Sequence, residues 1–140
     1  MRKRSRAREL ALMALYQMDI TREATPETLK DFWENHKADA DVRDFATGLV
    51  TGATEKLDRI DQVISRYADN WEIRRMATVD RNILRLATYE LLFVEEIPPK
   101  VSINEAVDLA KKFGDVESGR FVNGILDRIS KTETTLAKRS

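Results

Sequence analysis

The stretch that decides the fold class is residues 78–96, TVDRNILRLATYELLFVEE. Its apolar side chains recur three or four positions apart, which is the spacing of one face of an α-helix. Glu90 falls in the middle of that apolar face at 3.6 residues per turn. A buried carboxylate needs hydrogen-bond donors, so we expect Glu90 to brace another helix end or an arginine inside the core. The alternative, a catalytic acid, lacks any apparent partner in the sequence.

The same helical spacing continues on both sides of this stretch, and no segment alternates as a strand would. Thr25 followed by Pro26 is typical of a helix start. Pro98 and Pro99 end a helix, Ser102 and Glu105 have the spacing of a capping box, and Gly114 follows a helix end. The predicted helices span residues 4–19, 26–36, 40–52, 54–68, 78–96, 102–113 and 117–130, with a short helical turn near 71–76. The sequence therefore predicts an all-α domain of about seven helices.

Composition narrows the class of protein. A chain of 140 residues fits one domain. It contains no cysteine and a single histidine, His36, which excludes disulfides and leaves no cluster of metal ligands. We predict no metal and no cofactor. There is no apolar run of about 18 residues and no signal sequence, so we expect no membrane span and a cytoplasmic location.

Charge is segregated along the chain, although the formal net charge is zero. The first eight residues hold five cations and no acid, whereas residues 9–140 hold 19 basic and 24 acidic side chains. Cations at a helix N-terminus oppose the helix dipole and repel one another. We therefore expect this basic arm to be frayed when free and to bind a polyanion. A solvated, solubilising terminus is the alternative reading.

The sequence lacks the common motifs of catalytic and phosphate-binding sites. No glycine-rich phosphate loop, nucleophile elbow or zinc-binding HExxH pattern occurs, and adjacent acids such as Glu95 and Glu96 point apart on a helix. We predict that the protein is not an enzyme. Two aromatic residues could stack on bases, Tyr16 two turns beyond the arm and Phe121 beside Arg120, although for Phe121 a core position is the better expectation. The residues alone indicate a helical bundle with a basic arm that binds RNA or DNA.

Four stretches in this order resemble the NusB family. They are the arginine-rich opening leading into RELA (8–11) and ALY (14–16), DRNILRLATYEL (80–91), IPPKVSINEAV (97–107) continuing to KKFG (111–114), and RFVNGILD (120–127). The resemblance implies an all-α fold of two helical subdomains, three helices followed by four. We place them at 1–68, which includes the basic arm, and 69–140, within one domain over 1–140.

The resemblance also implies a function. Family members bind the boxA element of ribosomal RNA transcripts as single-stranded RNA, form a heterodimer with NusE, a small-subunit ribosomal protein, and join the RNA polymerase antitermination complex that suppresses premature termination. The RNA-contacting positions of the family fall on Arg2, Lys3, Arg4, Arg6, Arg8, Tyr16, Asp80, Glu117, Arg120 and Phe121. Ser5 interrupts the arginine run, which leaves the register of the arm contacts open.

Three alternatives differ from this function. NusB-like domains precede catalytic domains in some RNA cytosine methyltransferases, but this chain has no cofactor loop and no cysteine nucleophile. In a purely structural interaction module, the basic arm would only keep the protein soluble. A DNA-binding protein would need a recognition helix, and the sequence shows no signature of one. The sequence does not decide whether the free protein is a monomer or a homodimer that buries the arm. On the resemblance, we expect the NusE surface on the C-terminal subdomain.

Overall fold

A computed structural model describes residues 2–69 and 71–134, and within these ranges the regular structure is entirely helical. The helices are α1 (Lys3–Thr21), α2 (Pro26–Asn35), α3 (Ala40–Glu55), α4 (Leu57–Tyr67), α5 (Thr78–Phe93), α6 (Pro99–Phe113) and α7 (Ser118–Glu133), with a 3-10 turn at Ile73–Arg75 between α4 and α5. The prediction of an all-α fold with seven helices is confirmed over the described part of the chain. None of these helices combines the length and the apolar character that crossing a membrane requires.

Helix α5 is the centre of the bundle. It packs against α1, α3, α4, α6 and α7, and its buried side chains join one contiguous apolar core with those of the other helices. Because α5 touches both the earlier and the later helices, the packing draws no sharp line between two subdomains. The division into 1–68 and 69–140 stays a prediction.

Two sequence signals predict where helices begin, and the structure confirms one of them and contradicts the other. The Thr25 hydroxyl accepts a hydrogen bond from the backbone N–H of Thr28 at 3.2 Å, and Pro26 occupies the first helical position, as predicted. The capping box at Ser102 is wrong, because α6 already begins at Pro99, whose fixed φ suits the first helical position. Ser102 and Glu105 are instead turned towards α5 and α1.

The two glycines on α3 differ in their surroundings. Gly48 and Gly52 lie four residues apart on one face of α3, a spacing that predicts close packing against another helix. A Cβ at Gly52 would overlap the ring of Tyr89 on α5, whereas a Cβ at Gly48 would meet nothing within 4 Å. Gly52 is therefore the point of close approach between α3 and α5, and Gly48 faces open space.

Candidate nucleic-acid interface

A buried ion pair fixes α1 against the rest of the bundle. The Arg8 guanidinium donates from Nε to Glu90 Oε2 at 2.9 Å and from Nη2 to Glu90 Oε1 at 2.8 Å. The Ser102 hydroxyl on α6 donates to Glu90 Oε1 at 3.0 Å, and Glu105 approaches Arg8 Nη1 at 3.5 Å. The expectation that Glu90 braces a buried arginine is confirmed.

Because of this ion pair, Arg8 differs from the other predicted contact residues of the arm. Its side chain is only 3% exposed. Burial alone would lower the pKa of Arg8, but the hydrogen bonds and negative charge of Glu90, with help from Glu105, raise it above its ordinary value, so the guanidinium stays charged. The structure thus places Arg8 in the core, while the rest of the predicted arm lies on the surface.

The arm itself is ordered, contrary to the expectation that it frays. Helix α1 begins at Lys3. Lys3 Nζ contacts Asp41 Oδ2 at 2.7 Å, the Arg4 guanidinium lies 4.5 Å from the centre of the Phe45 ring, and the Ser5 hydroxyl donates to Glu105 at 2.6 Å. These contacts with α3 and α6 offset the unfavourable helix dipole, a tertiary effect that local spacing does not reveal.

The cations of the arm remain available to a ligand. Arg2, Lys3, Arg4 and Arg6 are exposed, and Arg6 reaches Glu9 at 3.1 Å without being buried. The buried Glu9 carboxylate also accepts from Lys112 of α6 at 2.6 Å, which adds a further exposed cation beside the arm. Sequence reasoning missed Lys112, because its neighbourhood depends on how α1 and α6 pack.

Beyond the arm, α1 carries an exposed apolar stripe that ends in a groove. Most of residues 10–18 are buried, but Tyr16 is 40% and Ile20 57% exposed. They line a groove of about 470 Å³ with Phe113, which is 39% exposed, and His36. Tyr16 lies roughly 18 Å from Arg4, twelve residues along the helix at about 1.5 Å per residue.

Helices α1 and α6 contact each other at points that follow the same order along both helices. Ser5 meets Glu105, Glu9 meets Lys112 one or two turns further on, and Tyr16 shares the groove with Phe113. We use the name α1–α6 strip for the exposed cations of the arm, the cation Lys112 and the two aromatic residues of the groove: Arg2, Lys3, Arg4, Arg6, Lys112, Tyr16 and Phe113. Within it, Lys3 and Arg4 lie on the side of α1 that contacts α3. Phe113 was missed as a site residue, since the sequence places it only at a helix end.

The polar stretch around His36 predicts a surface residue, but its side chain is half-buried. Its ring stacks on Phe32 with centroids 4.1 Å apart, and Nδ1 lies 3.0 Å from the Phe32 carbonyl oxygen. The signal for this position is the i, i+4 spacing of two aromatic rings. His36 thereby closes one side of the groove.

Asp80 is held in the first turn of α5 and is 9% exposed. Burial raises the pKa of Asp80; a hydrogen bond with Ser118 opposes the rise and the charge of Asp115 adds to it. One carboxylate oxygen, Oδ1, has no hydrogen-bond partner. Asp80 is therefore a largely buried acid beside the start of α7, and its unpartnered oxygen is closed off from solvent.

The remaining predicted site residues lie at the start of α7, with Glu117 directly before its first residue. Glu117 and Arg120 are exposed, and Phe121 is half-buried against the core. Phe121 meets Trp71 edge to face with ring centroids 5.8 Å apart. The short turn from Phe113 to Ser118 connects this group to the end of the α1–α6 strip.

The family model described as the NusB family matches residues 5–131. The chain belongs to the NusB family. The transcription antitermination protein NusB of Myxococcus xanthus is 48% identical over 131 residues, which cover 91% of this chain and 94% of that protein. The NusB of Trichlorobacter lovleyi is 49% identical over 126 residues, covering 90% and 89%.

Solved structures agree with this membership. T. maritima NusB is 42% identical and superimposes with a TM-score of 0.88 over 96% of this chain and 95% of that one. A crystal structure of the antitermination factors NusB and NusE in complex with dsRNA contains a chain that is 37% identical, with a TM-score of 0.83 over 94% and 98%. The NusB fold of this chain is therefore shown by sequence and by structure.

Proposed function

We propose that this NusB family member is an RNA-binding transcription antitermination factor. It binds boxA RNA of ribosomal RNA transcripts together with NusE, and the complex joins RNA polymerase and suppresses premature termination. The observation that carries the proposal is the α1–α6 strip, in which exposed cations lead into an exposed aromatic groove. Single-stranded RNA is recognised in this way, by cations on its backbone and aromatic rings under its bases.

We propose a role for each of the predicted contact residues. Arg2, Lys3, Arg4 and Arg6 neutralise phosphates, with Arg preferred because its planar guanidinium matches phosphate. Tyr16 and Phe121 stack on bases, Arg120 contacts the backbone, and Asp80 and Glu117 accept hydrogen bonds from base amino groups. Arg8 acts through the core, because its guanidinium is fully engaged by Glu90 and Glu105.

The charge of the chain outside the arm supports the proposed protein partner. Outside the arm the chain has an excess of acids, which suits a basic ribosomal protein such as NusE. The acidic excess lies in residues 9–68, which hold 12 acidic and 7 basic side chains, whereas residues 69–140 hold 12 of each. The NusE surface is therefore placed on the C-terminal subdomain, residues 69–140, by the family resemblance and not by charge. The factor acts by binding and not by catalysis, and it works in the bacterial cytoplasm where transcripts are made. A homodimer that covers the arm would be the inactive form of the free protein.

A salt titration of binding to a boxA-type single-stranded RNA tests the proposal. With four arm cations on phosphates, the slope of log affinity against log salt should be about −2.8, at roughly −0.7 for each contact. Arg4→Ala with Arg6→Ala should bind more weakly and make the slope shallower by about 1.4. Lys30→Ala with Arg59→Ala removes the same charge from α2 and α4 and should leave the slope unchanged.

The same titration includes duplex RNA and duplex DNA. Preference for either duplex, or equal slopes for all variants, would overturn the assignment. Repeating it with NusE present should tighten RNA binding, and it should do so for the control variant as well. Without this increase, the proposed heterodimer with RNA would be wrong.

A further inference from the structure

Glu9 is a buried acid on α1, about one turn after the cations to which the proposed function assigns phosphates. Its side chain is only 7% exposed. One carboxylate oxygen, Oε1, accepts a hydrogen bond from Arg6 Nη1 at 3.1 Å, and the other, Oε2, accepts from Lys112 Nζ on α6 at 2.6 Å. Because each oxygen binds a different cation, Glu9 holds an arginine of the arm and a lysine of α6 at one place.

The two cations face solvent, although the acid between them does not. The side chains of Arg6 and Lys112 are 48% and 51% exposed. Within residues 2–69 and 71–134, no acid other than Glu9 pairs with either cation, so one positive charge is left in excess. Each cation gives one hydrogen bond to Glu9. A guanidinium has five N–H donors and an ammonium three, so donors remain for a ligand.

The spacing of the two nitrogens suits a single phosphate group. They bind the two oxygens of the same carboxylate, so Arg6 Nη1 and Lys112 Nζ are at most about 8 Å apart. Two donors that bind different oxygens of one phosphate at ordinary hydrogen-bond lengths can lie about as far apart. Lys112 Nζ also lies 5.5 Å from the centre of the Phe113 ring. The pair of cations therefore stands beside one of the aromatic residues of the groove.

We infer that Glu9 is a positioning residue that presents Arg6 and Lys112 together to a single phosphate of the bound RNA. This inference rests on the proposed function. It goes further, because neither Glu9 nor Lys112 is among the contact residues that the family resemblance implies. Phosphate contacts fix the register of a protein on a nucleic acid, and two cations held on one phosphate fix it more closely than one flexible side chain does.

The burial of Glu9 is what distinguishes it from a competing acid. Asp41, which pairs with Lys3, has a side chain that is 58% exposed, so it competes with phosphate at the surface. Glu9 binds its two cations from the side of the core and leaves their outer side open. The same carboxylate can therefore hold the cations before and after the RNA is bound.

A methylphosphonate scan tests for the shared phosphate. Each phosphate of a boxA-type RNA in turn is replaced by a neutral methylphosphonate, and affinity is measured for the wild type, Arg6→Ala and Lys112→Ala. We expect each variant to bind the unmodified RNA roughly two- to five-fold more weakly. At one linkage, the same for both variants, this loss should largely disappear, because the group that both cations contact no longer carries a charge. Arg4→Ala should lose its effect at a different linkage.

Two further variants of α6 serve as controls. Lys111→Ala removes an exposed cation at the adjacent position, about 100° away around the helix, and its effect should depend on no particular linkage. Lys112→Arg keeps a cation and should keep the dependence on the shared linkage. Both positions are exposed, so these changes should not affect folding, and thermal melts check this.

Glu9→Gln tests the positioning role. The amide keeps the size of the side chain, but only one of its two polar atoms accepts hydrogen bonds, so it cannot hold both cations. The net charge becomes more positive, and affinity for a scrambled RNA of the same length should therefore not fall. Affinity for boxA-type RNA should fall, so that the ratio of the two affinities decreases roughly two- to five-fold. A merely structural role of Glu9 would lower both affinities equally.

Three outcomes would overturn the inference. If Arg6→Ala and Lys112→Ala lose their effects at different linkages, or if Lys112→Ala behaves as Lys111→Ala does, no phosphate is shared and the proposed RNA function stays intact. An unchanged affinity ratio in a folded Glu9→Gln variant would make Glu9 a purely structural link between α1 and α6. Absence of wild-type binding to boxA-type RNA would remove the proposed function and this inference together.

Discussion

Arg8 and Glu90 lie 82 residues apart in the sequence and meet in the core through two parallel hydrogen bonds, with Ser102 and Glu105 completing the group. The pair joins α1, α5 and α6 at the end of the bundle where the basic arm begins. It therefore couples the stability of the fold to the position of the candidate RNA surface.

Glu90→Gln should be strongly destabilising. The change leaves the Arg8 guanidinium buried without its full counter-charge, and removing one partner of a buried pair costs about 3–5 kcal/mol. Urea denaturation measures the free energy of unfolding. Glu95→Gln, an exposed acid just beyond α5, is the control and should change it by less than about 0.5 kcal/mol.

Replacing both partners should recover much of this loss. Apolar substitutes of similar volume are often neutral for a buried ion pair, so Arg8→Met with Glu90→Leu should be more stable than Glu90→Gln. A double variant as unstable as the single one would contradict the view that the unpaired cation causes the loss.

Gly52→Ala and Gly48→Ala should have opposite effects, although the glycines are one helical turn apart. The new methyl group at Gly52 would collide with the Tyr89 ring and cost about 1–3 kcal/mol by overpacking. The methyl group at Gly48 meets no neighbour, and alanine should stabilise the helix by about 0.5–1 kcal/mol. Thermal melts of both variants measure the difference, and equal shifts would rule out the close approach of α3 and α5.

Acid should weaken the contact between α1 and α5 through Asp19. Burial tends to raise the pKa of Asp19, but hydrogen bonds from Asn82 and Arg81 and the charges of Arg81 and Arg85 lower it below 3.8. Its contribution to stability is therefore complete above the unfolded pKa and is lost as the pH falls through the lowered folded pKa. Urea denaturation between pH 7 and pH 2 should show this loss, and Asp19→Asn should reduce it.

Asp44→Asn is the control for the acid titration. Asp44 is exposed on α3, and the described residues offer it no ion pair. The variant should follow the wild-type pH dependence. If Asp44→Asn and Asp19→Asn flatten the acid limb equally, the network around Asp19 is not its source.

Asp41→Asn should increase affinity for boxA-type RNA. Asp41 holds Lys3 at 2.7 Å, and this exposed pair competes with phosphate for the same cation. Because such pairs are weak, the gain should be roughly two- to five-fold at low salt and should vanish at high salt. Asp44→Asn changes an acid three residues further along α3, and it should give no more than a small part of this gain in affinity. A loss of affinity would instead mean that Asp41 positions the arm for RNA.

Sequence reasoning placed the helices well, because apolar spacing, Thr25–Pro26 and Gly114 are local signals. It also found Glu90, since a carboxylate within an apolar face must be paired. It could not identify Arg8 as the partner of Glu90. The sequence does not distinguish one arginine of the run from another until the packing of α1 is known. It missed the network of Asp19 with Arg81 and Arg85, and the place of Phe113 beside Tyr16, for the same reason: each contact joins helices far apart in the chain.

The Arg8–Glu90 pair has a consequence for the order in which the chain folds during synthesis. The arginine leaves the ribosome first, and its carboxylate follows 82 residues later, which at about 5–20 residues per second is a delay of roughly 4–16 s. Until then α1 carries a cation on the face that must be buried, so the nascent N-terminal half cannot close its core alone. Chains truncated before α5 should remain substrates for chaperones and proteases, and the native state becomes accessible only once the second half has been made.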